Sequence, residues 1–162
     1  MSLYVFTGPP GAGKNTIAES LCHLRARLAV IDVDQVRWMV RQPHKAPWEG
    51  AGGKEQQVLG VENACMLAEK FLKAEYDVVI LDVLSDSTVA LYRSMLGQYD
   101  PKIILLLPSY EEVLRRNALR PPRLSAEEIK MLYEKQVALQ SFDRKIDNSM
   151  LDPKQVIEQL SV

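Results

Sequence analysis

At 162 residues the chain has room for one domain with a substantial core. Its 47% hydrophobic and 25% charged residues are ordinary for a soluble globular protein, and no apolar run approaches the roughly 18–20 residues of a membrane span. A net charge of −1 and a pI of about 6.1 supply no basic field to recruit nucleic acid or an anionic membrane, so neither is expected as a partner.

The chain opens on a short apolar strand, Leu3-Tyr4-Val5-Phe6, which leaves no room for a signal peptide and sets a cytoplasmic expectation. Gly8, Pro9, Pro10, Gly11, Ala12, Gly13, Lys14, Asn15 and Thr16 follow. They match the phosphate-binding pattern G-x-x-x-x-G-K-[ST] at Gly8, Gly13 and Lys14, but Asn15 stands where a hydroxyl residue is expected. Glycines let backbone N–H groups turn inward as an anion nest, and the following helix points its positive end at the same phosphates. Lys14 adds a mobile charge that follows the β- and γ-phosphates. With a strand before it and a helix after it, the stretch reads as a nucleoside triphosphate site.

Ile17, Leu21, Leu24 and Leu28 recur at helical spacing, widened by Ala18 and Cys22. Cys22 and Cys65 both read as buried free thiols on helical apolar faces, consistent with a reducing compartment. Ala29-Val30-Ile31 is a short strand ending in Asp32-Val33-Asp34. Of the two carboxylates Asp34, opening the next helix, is the better placed to take a proton from an attacking hydroxyl. Its competing reading is a helix cap. Val36, Met39 and Val40 suggest that helix, carrying Arg37, Trp38 and Arg41; Arg37 can bind a polar or anionic group of the acceptor.

Residues 42–54 break all periodicity and read as an acceptor-side loop, with Trp38 and Trp48 around it. Those rings serve equally as substrate platforms or as packing anchors. A long helix follows with Val58, Val61, Cys65, Ala68 and Leu72 on one face. Val78-Val79-Ile80-Leu81 is a strand ending in Asp82, the pattern of an acid that holds Mg²⁺, usually through water. Ser85 to Leu96 reads as a helix stopped by Gly97. Ile103 to Leu107 is the most hydrophobic strand.

Ser109-x-x-Glu112 and Ser125-x-x-Glu128 both read as capping boxes. Between them Arg116 and Arg120, four apart, share a helical face, with Arg123 beyond the prolines and Arg115 directed elsewhere. Cations of this kind stabilise the equatorial oxygens of a transferring phosphoryl group, so Arg116 and Arg120 join Lys14 and Asp34 as candidate catalytic residues. A weak strand at 144–147 and an Asp152-Pro153 helix start close the chain. His23 and His44 show neither metal-ligand spacing nor triad partners.

Apolar strands alternating with helices indicate an α/β domain with a mostly parallel sheet covered on both faces, and ligands bind such sheets beyond the strands' carboxyl ends. With these residues in place, the chain resembles the small P-loop kinases: shikimate kinase, gluconate kinase, chloramphenicol phosphotransferase and the adenylate-kinase-like group, and within them bacterial ATP-binding members rather than one named enzyme. The resemblance covers nearly the whole chain: Gly8 to Thr16, Asp32-x-Asp34-x-x-Arg37, the strand ending at Asp82, the arginines at 115–123 and the Ile146-Asp147-Asn148-Ser149 turn.

That resemblance implies a single three-layer P-loop NTPase domain over residues 1–162, five strands in the order 2-3-1-4-5, and a short arginine-bearing lid at about 115–125. It implies ATP and Mg²⁺, with Asn148 and Ser149 beside the adenine, and with Asn15 and Asp82 at the metal. Asn15 departs from the family's hydroxyl ligand, and Thr16 is turned away by roughly 100°, so weakened Mg²⁺ affinity with nucleotide binding retained is the expectation. The 42–54 loop lacks the acceptor patterns of shikimate kinase, the segment after Asp34 is unlike gluconate kinase, and no N-K-x-D motif points to a GTPase. The leading expectation is an ATP-dependent kinase acting on a small-molecule hydroxyl. Alternatives are a nucleoside or nucleotide kinase, an ATP-binding regulator with weak catalysis, and an ATP-dependent toxin acting on sugar nucleotides. Monomer and homodimer both stay open.

Overall fold

Each apolar strand of the chain divides its side chains between two cores. The computed structural model describes residues 1–121 and 124–160, so Pro122 and Arg123 of the expected lid lie outside the described residues. Five strands, β1 (Leu3–Thr7), β2 (Leu28–Asp32), β3 (Asp77–Leu81), β4 (Lys102–Leu106) and β5 (Arg144–Ile146), form one parallel sheet in the order β2-β3-β1-β4-β5. The expected order is the observed one. Register pairs Val5 with Ile80 and with Ile103, so successive residues face opposite layers in step.

Val5, Val78, Ile80, Ile103 and Leu105 join the core under α3 (Gly50–Lys73) and α4 (Asp86–Leu96). Phe6, Val79, Leu81, Ile104 and Leu106 join the core under α1 (Lys14–Cys22) and α7 (Pro153–Leu160). Both sheet faces are therefore dry, which is why the strands read as unbroken apolar runs. The architecture is three-layer α/β. No described helix is long and apolar enough to cross a membrane.

Several local expectations fail, each for a physical reason. α1 ends at Cys22, where His23 donates back to Ser20 and Leu21, so the helical stripe stops short. Leu24 is exposed and Leu28 starts β2; Cys22 is exposed too, and only Cys65 is a buried thiol. The helix after β2, α2 (Val33–Arg37), has only 5 residues and leaves Met39 exposed.

The aperiodic loop is shorter than 42–54, because α3 already begins at Gly50. A Cβ on Gly53 would lie 2.1 Å from the Ala46 carbonyl oxygen. The glycines that read as loop formers instead let residues 43–49 fold against the first turns of α3. Arg37 rests on the same helix, where a Cβ on Gly60 would meet its Cγ at 2.5 Å.

Beyond β4, α5 (Tyr110–Ala118) and α6 (Ala126–Ala138) carry the segment over the sheet's carboxyl edge. Ser125 and Glu128 cap α6 reciprocally, as expected. Ser109 makes only half of the other box: its Oγ accepts from Glu112 N, while its own N–H donates to Ser149 Oγ at 2.8 Å. Glu112 is engaged elsewhere. α6 is anchored below by a buried cluster, in which Thr7 Oγ1 donates to Gln136 Oε1 at 2.7 Å and Gln136 Nε2 donates to Leu84 O at 2.7 Å. The Leu84 N–H returns to Thr7 Oγ1 at 2.9 Å, so β1, the loop after β3 and α6 are fixed together.

Candidate functional site

The loop joining β1 to α1 is built on glycine. Gly8 passes so close to β4 that a Cβ would fall 2.3 Å from Leu106 O. Gly13 caps α1 with φ 91°, a left-handed conformation, and no side chain caps that helix. The N-terminal amides of α1 thus face the loop's concavity, a shape that suits phosphate oxygens. Lys14 folds over the loop, its Nζ donating to Gly8 O at 2.7 Å and Pro9 O at 3.4 Å. Burial pushes its ammonium down to about 8, against the opposing pulls of Asp34, Asp82 and Asp32.

The carboxylates of Asp32, Asp34 and Asp82 reach the same cleft. Asp82 lies one residue beyond β3, with Oδ1 accepting from Val83 N at 2.7 Å and Oδ2 from Tyr92 OH at 3.0 Å. Burial raises its carboxyl to about 6. Each oxygen takes one protein donor and keeps acceptor capacity for a hydrated cation. Asp32, not Asp34, caps α2, accepting from Asp34 N at 3.0 Å. Asp32 is shifted upward, first by burial and then by Asp34. The strand ends at Asp32 and a helical turn follows, and both acids line the cleft. Asp34 is 70% exposed there, free of the capping duty.

Arg37 is placed differently from its expectation. It is only 8% exposed, its Nη1 reaching Asp34 Oδ1 at 3.3 Å and its Nη2 donating to Lys45 O at 2.8 Å. The guanidinium ties α2 to the folded-back loop.

Arg116 and Arg120 both line the cleft, although α5 ends at Ala118 and Arg120 lies beyond it rather than on the same helical face. Arg116 Nε donates to Glu112 Oε1 at 2.6 Å; its Nη1 approaches Gly11 O at 3.3 Å and its Nη2 donates to Asn148 O at 2.8 Å. Arg120 donates twice to Asn117 Oδ1, at 3.1 and 2.6 Å, while Asn117 Nδ2 donates to Pro10 O at 2.8 Å. Arg115 is surface, as expected, paired with Glu112.

The cleft occupies about 2050 Å³ along the carboxyl edge of the sheet, from the phosphate loop past Asp34 to Trp38 and Trp48. Asn15 and Thr16 both line it; Thr16 also borders an adjoining cavity of about 220 Å³ walled by Asn148, Arg116 and Val156. Asn148 Nδ2 donates to Ala12 O at 2.7 Å, and its buried Oδ1 has no partner. Ser149 differs: its Oγ donates to Asp147 Oδ1 at 2.5 Å and accepts from Ser109 N, so it braces the turn.

Four functional neighbours escape a reading by sequence. Glu112 carries an i,i+3/i,i+4 signal to Arg115 and Arg116, masked by its capping-box position. Tyr92, Asn117 and Gln136 act across the fold and leave no local signal.

The sequence family described as AAA domain matches residues 3–138. No curated protein matches the chain. Among solved structures, the chain is similar to a sugar kinase of Janibacter sp. HTCC2649, at 17% identity and TM-score 0.72, covering 99% of this chain and 92% of the other. The tunicamycin resistance protein of Deinococcus radiodurans is similar at 19% identity and TM-score 0.69, covering 99% and 94%. Shikimate kinase of Acinetobacter baumannii, solved with shikimate, is similar at 18% identity and TM-score 0.68, covering 99% and 91%.

Proposed function

We propose, for a chain that belongs to the AAA domain family and has the fold of the small P-loop kinases, an ATP-dependent phosphotransferase acting on a hydroxyl of a small molecule. One observation carries the reading: the phosphate-loop lysine and the carboxylates of Asp34 and Asp82 converge on one cleft at the carboxyl edge of a parallel sheet.

In this reading the backbone of Gly8 to Gly13 and the start of α1 cradle the triphosphate, and Lys14 exchanges the Gly8 carbonyl for phosphate oxygens. The base lies in the smaller cavity that Asn148 walls, with the turn held by Ser149. Asp82 and Asn15 are the residues that would hold Mg²⁺, whose chemistry is to neutralise charge on the phosphates. Asn15 offers an amide oxygen on a longer side chain than the pattern's hydroxyl, beside an NH₂ that cannot ligate, which weakens that hold.

Asp34 accepts the proton as the acceptor's oxygen bonds to the γ-phosphorus and the bond to the bridging oxygen of ADP breaks. Arg116 and Arg120 place positive charge along the loop's open side. Arg37 acts at the acceptor end through Asp34, whose carboxylate it orients.

The test is product formation from γ-labelled ATP across small hydroxyl compounds and nucleosides with Mg²⁺ present. Label transfer to one acceptor, lost in Asp34→Asn while ATP still binds, is the expected result. Tight ATP binding with no transfer to any acceptor would favour the regulator, the reading that Asn15 supports.

A further inference from the structure

We infer that the acceptor is an uncharged, ring-bearing alcohol of the nucleoside class, stacked on Trp38 and Trp48, and that anionic acceptors are rejected. The inference rests on the phosphotransferase reading and narrows it to a substrate class.

Recognition of a carboxylate or phosphate calls for an exposed arginine fork or its equivalent. Arg37 is the arginine nearest the presumed base, yet its fork is turned inward. Nη1 faces Asp34, Nη2 is bonded to Lys45 O, the stem lies on the backbone at Gly60, and Nε is sealed from solvent. At this end of the cleft the lining carries the carboxylates of Asp32, Asp34 and Glu49, with Lys54 and, toward the phosphate loop, Lys14 as cations. Desolvating an anion among these carboxylates is opposed by their field.

The same end is rich in flat apolar surface. Trp38 is stacked on His44, with ring centroids 3.6 Å apart and 12° between planes, yet it remains 56% exposed. His44 thereby fixes the indole from one side and leaves the other to the cleft. Trp48 and the half-exposed Val58 line the same space. A planar ring fits such plates, and every nucleobase offers a π-face without a charge. A sugar hydroxyl attached to that ring then comes to Asp34, since Trp38 follows Asp34 by one helical turn, its N–H donating to Asp34 O at 2.9 Å.

The chain's 2 tryptophans both line this cleft, so intrinsic tryptophan emission reports on it alone. The experiment titrates the ADP-saturated protein with each common ribonucleoside and with its 5′-monophosphate, which keeps the ring and adds only the anion. Saturable quenching by a nucleoside is expected, with its monophosphate at least about tenfold weaker. Trp38→Ala is expected to lose on the order of tenfold in nucleoside affinity and Trp38→Phe to keep most of it. A monophosphate that binds as tightly as its nucleoside, or no quenching by any nucleoside, overturns the inference. Binding is read without turnover, so label transfer to an anionic acceptor would end this inference alone. Nucleoside binding without label transfer would end the phosphotransferase reading alone.

Discussion

Glu112 Oε1 accepts from Arg116 Nε at 2.6 Å, and that ion pair turns the other guanidinium nitrogens onto the Gly11 carbonyl and the turn at Asn148. Two segments far apart in sequence, the phosphate loop and the turn after β5, are joined through one side chain. Hydrogen bonds from Arg115 and then Arg116 hold the Glu112 carboxyl down to about 2, below its ordinary 4.5. A depressed folded-state value means the contribution is complete above about 4.5 and disappears as pH falls toward 2. Glu112→Gln is therefore expected to melt below the native protein near neutral pH, with the gap closing toward pH 2. Thermal melts followed by circular dichroism across pH check this; a gap independent of pH would contradict it.

Lys14 carries a second pH signature. Its ammonium lies at about 8 when bonded to Gly8 O, and a phosphate in the loop favours the charged form. Nucleotide binding is expected to take up protons as pH rises through about 8, and ATP affinity to decline over the same range. Calorimetry in buffers of different ionisation enthalpy measures the uptake directly. Zero uptake at that pH would place Lys14 outside the phosphate contacts.

At Asn15 the expectation concerns the metal rather than the nucleotide. Restoring a hydroxyl with Asn15→Ser should steepen the Mg²⁺ dependence of ATP affinity by about tenfold while leaving metal-free binding unchanged. Equal Mg²⁺ dependence in the two proteins would remove Asn15 from the metal site.

The sequence revealed the fold more fully than the site. Strands such as Val78 to Leu81, apolar throughout, announce a sheet buried on both faces, and Gly8 to Lys14 announces what sits at its edge. The place of Asp34 and Asp82 at the sheet's carboxyl edge was legible because each follows closely on an apolar strand. Periodicity along α2 does not disclose the folded-back Lys45 carbonyl that draws the Arg37 guanidinium inward. The glycines at 50–53 misled: chain flexibility and close approach leave the same residue type. Tyr92 and Asn117 could not be singled out, since their partners Asp82 and Pro10 are brought to them only by the tertiary fold.

Gly53 tests the folded-back loop. With a new Cβ 2.1 Å from Ala46 O, Gly53→Ala forces residues 43–49 to shift. Overpacking of this kind costs about 1–3 kcal/mol, or a melting point lower by roughly 2–10 °C for a chain of this size. Because Trp48 rides on the displaced segment, tryptophan emission should change as well, with ATP affinity preserved. An unshifted melt with native emission would contradict the close approach.

The proposed phosphotransferase stands or falls with Asp34 as the base for phosphoryl transfer. The most direct measurement compares acceptor-stimulated ADP release by the native protein and by Asp34→Asn, with ATP affinity determined for both. Equal ATP affinity and a turnover number lowered by about 10²–10⁴-fold in Asp34→Asn are expected. Undiminished turnover in Asp34→Asn, at native ATP affinity, would contradict it.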